Sequence, residues 1–227
     1  MYTPPVFKPD RAASLAFAQA RGFGTVTAWN GTRPIASPLP FDLTYGEDGA
    51  PKVAFHLARH NPLAKLADGK SPWLIGVGGA DAYVSADWYT SAEQVPTWLY
   101  QAVHLAGPVR MLPDDQLAAH LDALSARFEG WLAPKPPWTV SKITGARFAA
   151  LKKAIVGFVM SVDEVEGSFK LNQHKSDADH VTVAAALVSG NEAGARSIGE
   201  QMVALRPQLN YNSPASAGEP ADERNAL

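Results

Sequence analysis

Four consecutive residues, Arg59-His60-Asn61-Pro62, carry the clearest capacity for anion chemistry in this 227-residue chain. A strand over Lys52 to Ala58 would deliver Arg59 at its end, and a guanidinium makes bidentate contacts to phosphate. Asparagine is a good N-cap and proline is favoured at the first helical position, so a short helix over 63–67 is expected, its free N–H groups and positive dipole end available to an anion. The same residues also read as a surface cation followed by a plain cap, and the spacing alone leaves both readings open. His56, His60, His104 and His174 form no HExxH motif, so no metal is expected. A lone strand histidine such as His56 or His104 is more often a satisfied structural group than a catalyst. There is no GxSxG elbow and no convincing carboxylate pair. The absence of cysteine removes disulfides, thiolate zinc sites and a thiol nucleophile.

The elements that would position these residues are mostly strands. A helix is expected over 10–21, with Asp10 as cap and Gly22 as stop. Strands are expected over Phe23–Trp29, which Asn30-Gly31 turns back, over Pro34–Tyr45 with three prolines, and over Lys52–Ala58. Trp73–Val77 and Ala82–Ala86 read as two strands joined through Gly78-Gly79, and Trp98–Leu112 as a long strand bent at Gly107-Pro108. A helix from Asp114 to about Trp131, a proline-rich link, a helix over 146–153, a β-rich segment over 155–165, and helices over 177–189 and 192–205 complete the chain. Six or seven short strands with helices at the ends predict an α+β fold built on a closed or partly closed barrel. One domain over 1–206 is expected, its C-terminal helices lying in 170–206, with a flexible tail over 207–227 where the composition turns to Pro, Ser, Ala, Asn and Gly.

Hydrophobic residues make up 46% and charged residues 19% of the chain, an ordinary globular composition, and no apolar stretch approaches membrane-spanning length. A soluble, cytoplasmic protein with no membrane partner is expected. The net charge of −2 lends no support to unaided DNA binding. The pair 177–189 and 192–205 has the outline of a helix-turn-helix, but its second helix sets Arg196 against Glu192 and Glu200, fewer donors than a recognition helix normally offers.

Three segments in order carry a family resemblance: His56-Leu57-Ala58-Arg59-His60-Asn61-Pro62; Ala82 through Tyr89 with Val95 through Gly107; and Ile155-Val156-Gly157-Phe158 followed by Phe169 through Lys175. With Met1-Tyr2 and the Phe23-Gly24-Thr25 strand, the chain resembles the PaiB-like family of FMN-binding negative transcriptional regulators over roughly residues 1 to 190. The resemblance implies a six-stranded split barrel like that of pyridoxamine phosphate oxidase, working as a homodimer with FMN at the interface. The chain departs from the family pattern at Pro38, His60, Leu99 and His174.

The resemblance also implies a cofactor site drawn from His56, Arg59, Asn61, Trp98, Gln101, Lys170 and Gln173. Arg59 and Asn61 would meet the phosphate. Gln101 stands in a strand similar to one in pyridoxamine phosphate oxidases where a glutamine faces the phosphate. Trp98, with Trp88 and Tyr100, would wall the flavin ring or fill a dimer core, and packing is the commoner fate of a single aromatic. Lys170, Gln173 and Lys175 would form a lid or phosphate contact, or else a solvated loop. The function expected is a flavin-loaded regulatory dimer, acting on DNA or through a partner. An FMN-dependent oxidoreductase and a flavin-free interaction dimer are the alternatives.

Overall fold

The computed structural model describes residues 1–211. The chain forms two compact units: Met1–Gly79 with Gln101–Phe169, and Ala80–Tyr100 with the described residues from Lys170 on. Part of the expected tail, residues 212–227, lies outside the described residues.

In the first unit, helix α1 (Arg11–Arg21) starts where the Asp10 carboxylate accepts the Ala13 N–H at 2.7 Å, and it stops at Gly22, whose φ of 57° suits glycine. Seven strands follow: β1 (Phe23–Trp29), β2 (Pro34–Tyr45), β3 (Pro51–Ala58), β4 (Pro72–Val84), β5 (Thr97–Met111), β6 (Ile155–Ser161) and β7 (Glu164–Lys170). Their order is β4-β1-β2-β3-β6-β5-β7, and a further pairing of β4 with β5 closes six of them into a barrel, with β7 added beside β5. Strands β4, β5 and β7 each have residues in both units. This is the α+β barrel that the strand pattern predicts, and the split barrel that the family resemblance implies.

The period-2 alternation explains the core. Phe41, Phe55, Trp73, Ile75, Leu105 and Phe158 point inward and are almost fully buried. Phe55 stacks on Phe158 at 5.5 Å between ring centroids. The three prolines of β2 share one parity. Phe41 donates to Gly22 O, so odd residues of β2 bond toward β1, and Pro34, Pro38 and Pro40 turn their missing donors to the other side. Pairing with β3 begins only at Phe41, so these prolines interrupt no ladder.

One expectation about the strands is corrected. The segments 73–77 and 82–86 are one 13-residue strand, β4. Its Gly78-Gly79 pair does not turn the chain: Gly79 is a close-approach position, where a β-carbon would come within 2.9 Å of the Phe17 ring and 3.2 Å of Gln101 Cβ. The β-rich segment 155–165 supplies β6 and the start of β7, which flank β5 and do not pair with each other. It turns at Val162-Asp163 because both N–H groups are taken there, by Pro51 O and Ala106 O, each at 3.0 Å.

Helix α2 (Leu117–Gly130) starts three residues after the expected Asp114, and α3 (Gly145–Lys153) follows it. Leu117, His120 and Leu124 form the buried stripe of α2, while α3 buries no residue.

The second unit holds α4 (Asp177–Ser189) and α5 (Ala193–Leu205). Gly199 lets the helices approach closely, since a β-carbon there would sit 2.9 Å from Val188 N and 3.0 Å from Ala184 O. Val183, Leu187, Ile198 and Met202 form a core with Val84 and Leu99. Leu99, one of the departures from the family pattern, is thus a packing residue with no surface left for a ligand. Among the described residues no helix is long and apolar enough to cross a membrane.

Asp179, 3% exposed in the first turn of α4, anchors the loop after Tyr89. It accepts the N–H and hydroxyl of Thr90 at 2.8 Å each, and the N–H and hydroxyl of Ser91 at 3.0 and 2.6 Å. Burial opposes its ionisation, but the bonds from Ser91, Thr90 and Ser176 outweigh burial and hold the carboxyl well below the usual carboxylate range. Asp179→Asn is expected to lower stability by about 2 kcal/mol at neutral pH, since several charge-assisted bonds are weakened together. The depressed folded-state value means that this stabilisation is complete above the unfolded carboxyl's pKa of about 4 and is lost as pH falls below it. Urea midpoints of both proteins should therefore converge in acid. Equal midpoints at pH 7 would rule out this role for Asp179.

Candidate functional site

The structure distributes the expected site residues between the two units. His56, Arg59, Asn61 and Gln101 belong to the first, Trp98, Lys170 and Gln173 to the second.

Arg59 ends β3. Its Nε donates to Lys153 O at 2.8 Å and its Nη2 to Ile155 O at 3.0 Å, so the guanidinium is clamped between the end of α3 and the start of β6. Backbone pairing explains the placement: Ala58 lies opposite Ile155, and Arg59 N donates to Ala154 O. The two clamping bonds fix the fork and leave its remaining N–H groups for a ligand. Beside Arg59 lies a cavity of about 290 Å³, also lined by Lys152, Lys153, Leu117, Ala149 and Asp114. Three cations against one carboxylate make it an anion site by charge. Lys152 and Lys153 escape a motif-based reading. Their signal in the sequence is the stretch from Gly130 to Val162, which has five Lys and Arg residues and no carboxylate.

The expected helix after Asn61 is a four-residue 3-10 turn, Pro62–Lys65. It offers no array of free donors. Proline has no N–H, Leu63 N donates to Asn61 Oδ1 at 3.0 Å, and Ala64 N donates to Asn61 O at 3.0 Å. Asn61 Nδ2 in turn donates to Ser37 Oγ at 3.3 Å. Phosphate recognition by a helix dipole at this point is therefore corrected: the local sequence makes a self-satisfied turn.

His56 faces outward from β3, under α2. Its Nδ1 lies 3.2 Å from Nε2 of His120, which is 7% exposed. Further along α2, Arg127 donates to Phe41 O and Asp42 Oδ1, both at 3.2 Å. The structure thus brings His56 together with His120, not with Arg59. Nothing in the sequence marks His120, because it occupies an ordinary position of the helix's buried stripe. Burial lowers the pKa of His56. Burial first, and the neighbouring His56 second, push His120 down to about 4, with Asp42 opposing. Both rings are neutral at pH 7, one donating and one accepting. The folded state therefore binds fewer protons than the unfolded chain between about pH 6.5 and pH 4. The stability this lends is complete above 6.5 and is lost as pH falls through that window. Denaturant midpoints of the parent chain are expected to drop from pH 7 to pH 4.5, and His120→Gln should flatten the slope. Identical slopes would show that the pair does not govern acid stability.

Gln101, half-buried, lies against Gly79 on β5. In the second unit, Trp98 is 55% exposed and meets Tyr83, itself 50% exposed, edge-to-face at 6.1 Å. Lys170 Nζ donates to Thr97 Oγ1 at 2.5 Å, next to Trp98. Gln173 folds back to accept the Leu171 N–H at 2.7 Å. Lys175 Nζ donates to Gln94 Oε1 at 2.6 Å and stands 4.9 Å over the Tyr89 ring. Lys170 thus borders an exposed aromatic plate, while Gln173 serves its own loop. Among the described residues no three His, Asp or Glu side chains converge as metal ligands.

The barrel is of the split type. The comparisons agree. The family described as "Putative FMN-binding domain" matches residues 1–164, and the chain belongs to that family. The protease synthase and sporulation protein PAI 2 of Bacillus subtilis is 32% identical over 203 residues, 89% of this chain and 96% of that protein, which bears out the PaiB-like resemblance. Among solved structures, the FAD- and haem-binding protein of Mycobacterium smegmatis aligns with a TM-score of 0.51 at 17% identity, covering 96% of this chain and 92% of that one. The flavocytochrome Anf3 of Azotobacter vinelandii aligns with a TM-score of 0.50 at 17% identity, covering 71% and 67%. These two likenesses establish the shared fold.

Proposed function

We propose that the chain binds FMN as a homodimer and works as a PaiB-like negative regulator of transcription. The observation that carries the cofactor is the pocket where the clamped Arg59 guanidinium faces Lys152 and Lys153. A phosphate dianion suits three cations around about 290 Å³, and Arg59 offers it a fork already fixed in place. The exposed Trp98 and Tyr83 rings suit a flat apolar partner such as the second copy's surface. Gln101, in the same unit as Arg59, is the polar group to place near the flavin. His56, Asn61 and Gln173 serve the protein's own framework, since each has an internal partner. When bound, the flavin supplies reversible electron transfer, and the chain's part is to hold and orient it.

The α4–α5 pair is a poor DNA reader for a physical reason. Arg196 donates to Gly190 O and Asn191 O, and Arg206 to Asp177 and to the carbonyls of Gln173 and Lys175. Regulation therefore runs through another surface or a partner protein. Absorbance titration with FMN combined with sedimentation tests the reading. Saturation at one FMN per chain on a dimer is expected, and a monomer that leaves FMN free would overturn it.

A further inference from the structure

Helix α2 has two faces at work. One, through His120 and Arg127, grips the barrel wall. The adjacent stripe, Leu121 and Ser125, lines a furrow whose opposite wall is α3 and the loop before it. The furrow consists of two cavities, about 380 and 490 Å³, which share Asp122, Ser125, Trp138 and Val140. The smaller is walled by Trp138, Phe148 and Leu151 and ends at Lys152, which also lines the cationic pocket of Arg59.

Three features mark this as a ligand site and not merely loose packing. First, the volumes are those of small-molecule pockets, with apolar walls and a few polar groups. Second, Trp138 is held in place: Glu129 accepts its backbone N–H at 2.8 Å and is itself paired with Lys135 at 2.5 Å. Third, one cation stands at the end of the apolar walls: Lys152 Nζ lies 5.2 Å over the Phe148 ring. Of the two carboxylates that line the furrow, Glu129 is paired with Lys135, and Asp122 lies where the two cavities meet. Meanwhile Trp138 is 37% and Leu151 45% exposed, apolar surface that a ligand would remove from water.

We propose that the α2–α3 furrow binds a small amphiphilic anion, its alkyl or aryl body between Trp138, Phe148 and Leu151 and its acidic group at Lys152. This goes beyond the flavin reading; Lys152 also lines the Arg59 pocket, so the titration is made without flavin. A cationic amphiphile meets the wrong charge at Lys152, and an ionic molecule without an apolar body gains nothing from the walls.

The full chain, with no flavin added, is titrated calorimetrically and by tryptophan fluorescence with decanoate and with decyltrimethylammonium. Decanoate should saturate at one per chain with a blue shift, and decyltrimethylammonium should bind roughly tenfold more weakly or worse, the scale of one unmatched charge contact. Trp138→Phe should remove the blue shift while keeping the heat of binding. Leu151→Asp, on a helix with no buried residue, should fold normally by circular dichroism yet lose decanoate binding. Lys152→Gln should erase the preference for the anion. Equal affinity for the two amphiphiles, non-saturating uptake of many molecules per chain, or unchanged decanoate binding in a folded Leu151→Asp protein would overturn the proposal.

Discussion

Replacing Gly107 by alanine is expected to lower stability by at least about 3 kcal/mol, the range of the severest single-residue backbone clashes. A β-carbon at Gly107 would lie 1.8 Å from Ser161 O, 2.9 Å from Ser161 C and 3.2 Å from Asp163 N. All three are main-chain atoms, so no side-chain rotamer relieves the overlap. Nor can the strands simply part. Asp163 N donates to Ala106 O at 3.0 Å, Val162 N donates to Pro51 O at 3.0 Å, and β5 is registered on β6 from Val109 opposite Met160. Separating the β6–β7 link from β5 would break these contacts together. Glycine is required here by close approach, at a point where β5 passes beneath the β6–β7 turn. The expected measurement is a large drop in the urea midpoint, or loss of soluble protein. An alanine variant with the parent's midpoint would mean that β5 and the turn do not meet as described.

The second large effect falls on the ligand. Arg59→Ala is expected to weaken FMN binding by about 2 kcal/mol, roughly thirtyfold, the worth of a charge-assisted contact to phosphate. Arg59→Lys should recover only part of this. It restores a positive charge, but an ammonium lacks the planar fork that Lys153 O and Ile155 O fix. Riboflavin, which has no phosphate, should bind the parent and the alanine variant alike. Equal FMN affinity in parent and Arg59→Ala would place the phosphate elsewhere.

Much of the barrel was legible because its signals are local. Asp10 and Gly22 bound α1, Asn30 turns β1 into β2, and the alternation of Phe41, Leu43, Val53 and Phe55 marks the inward face. Gly78-Gly79 misled because the same residue type serves turns and close approaches, and only the Phe17 ring across the unit tells which. Asn61-Pro62 has the composition of a helix start, yet the turn closes after four residues and consumes its own donors. At the site, Arg59 is visible from the end of its strand. Lys152 and Lys153 become its neighbours only through the pairing of β3 with β6, a contact across nearly a hundred residues. The Asp179 network was invisible for the same reason: Thr90 and Ser91 reach it from 88 or 89 positions away.

The most direct test of the central claim is a paired equilibrium titration of the purified chain with FMN and with riboflavin at low ionic strength, followed by flavin absorbance and fluorescence. A pocket built around Arg59, Lys152 and Lys153 predicts saturation at one FMN per chain and riboflavin bound at least roughly tenfold more weakly, with the gap narrowing as salt screens the phosphate contact. Equal affinity for the two flavins, or no binding of either, would contradict the assignment of this pocket to the cofactor's phosphate.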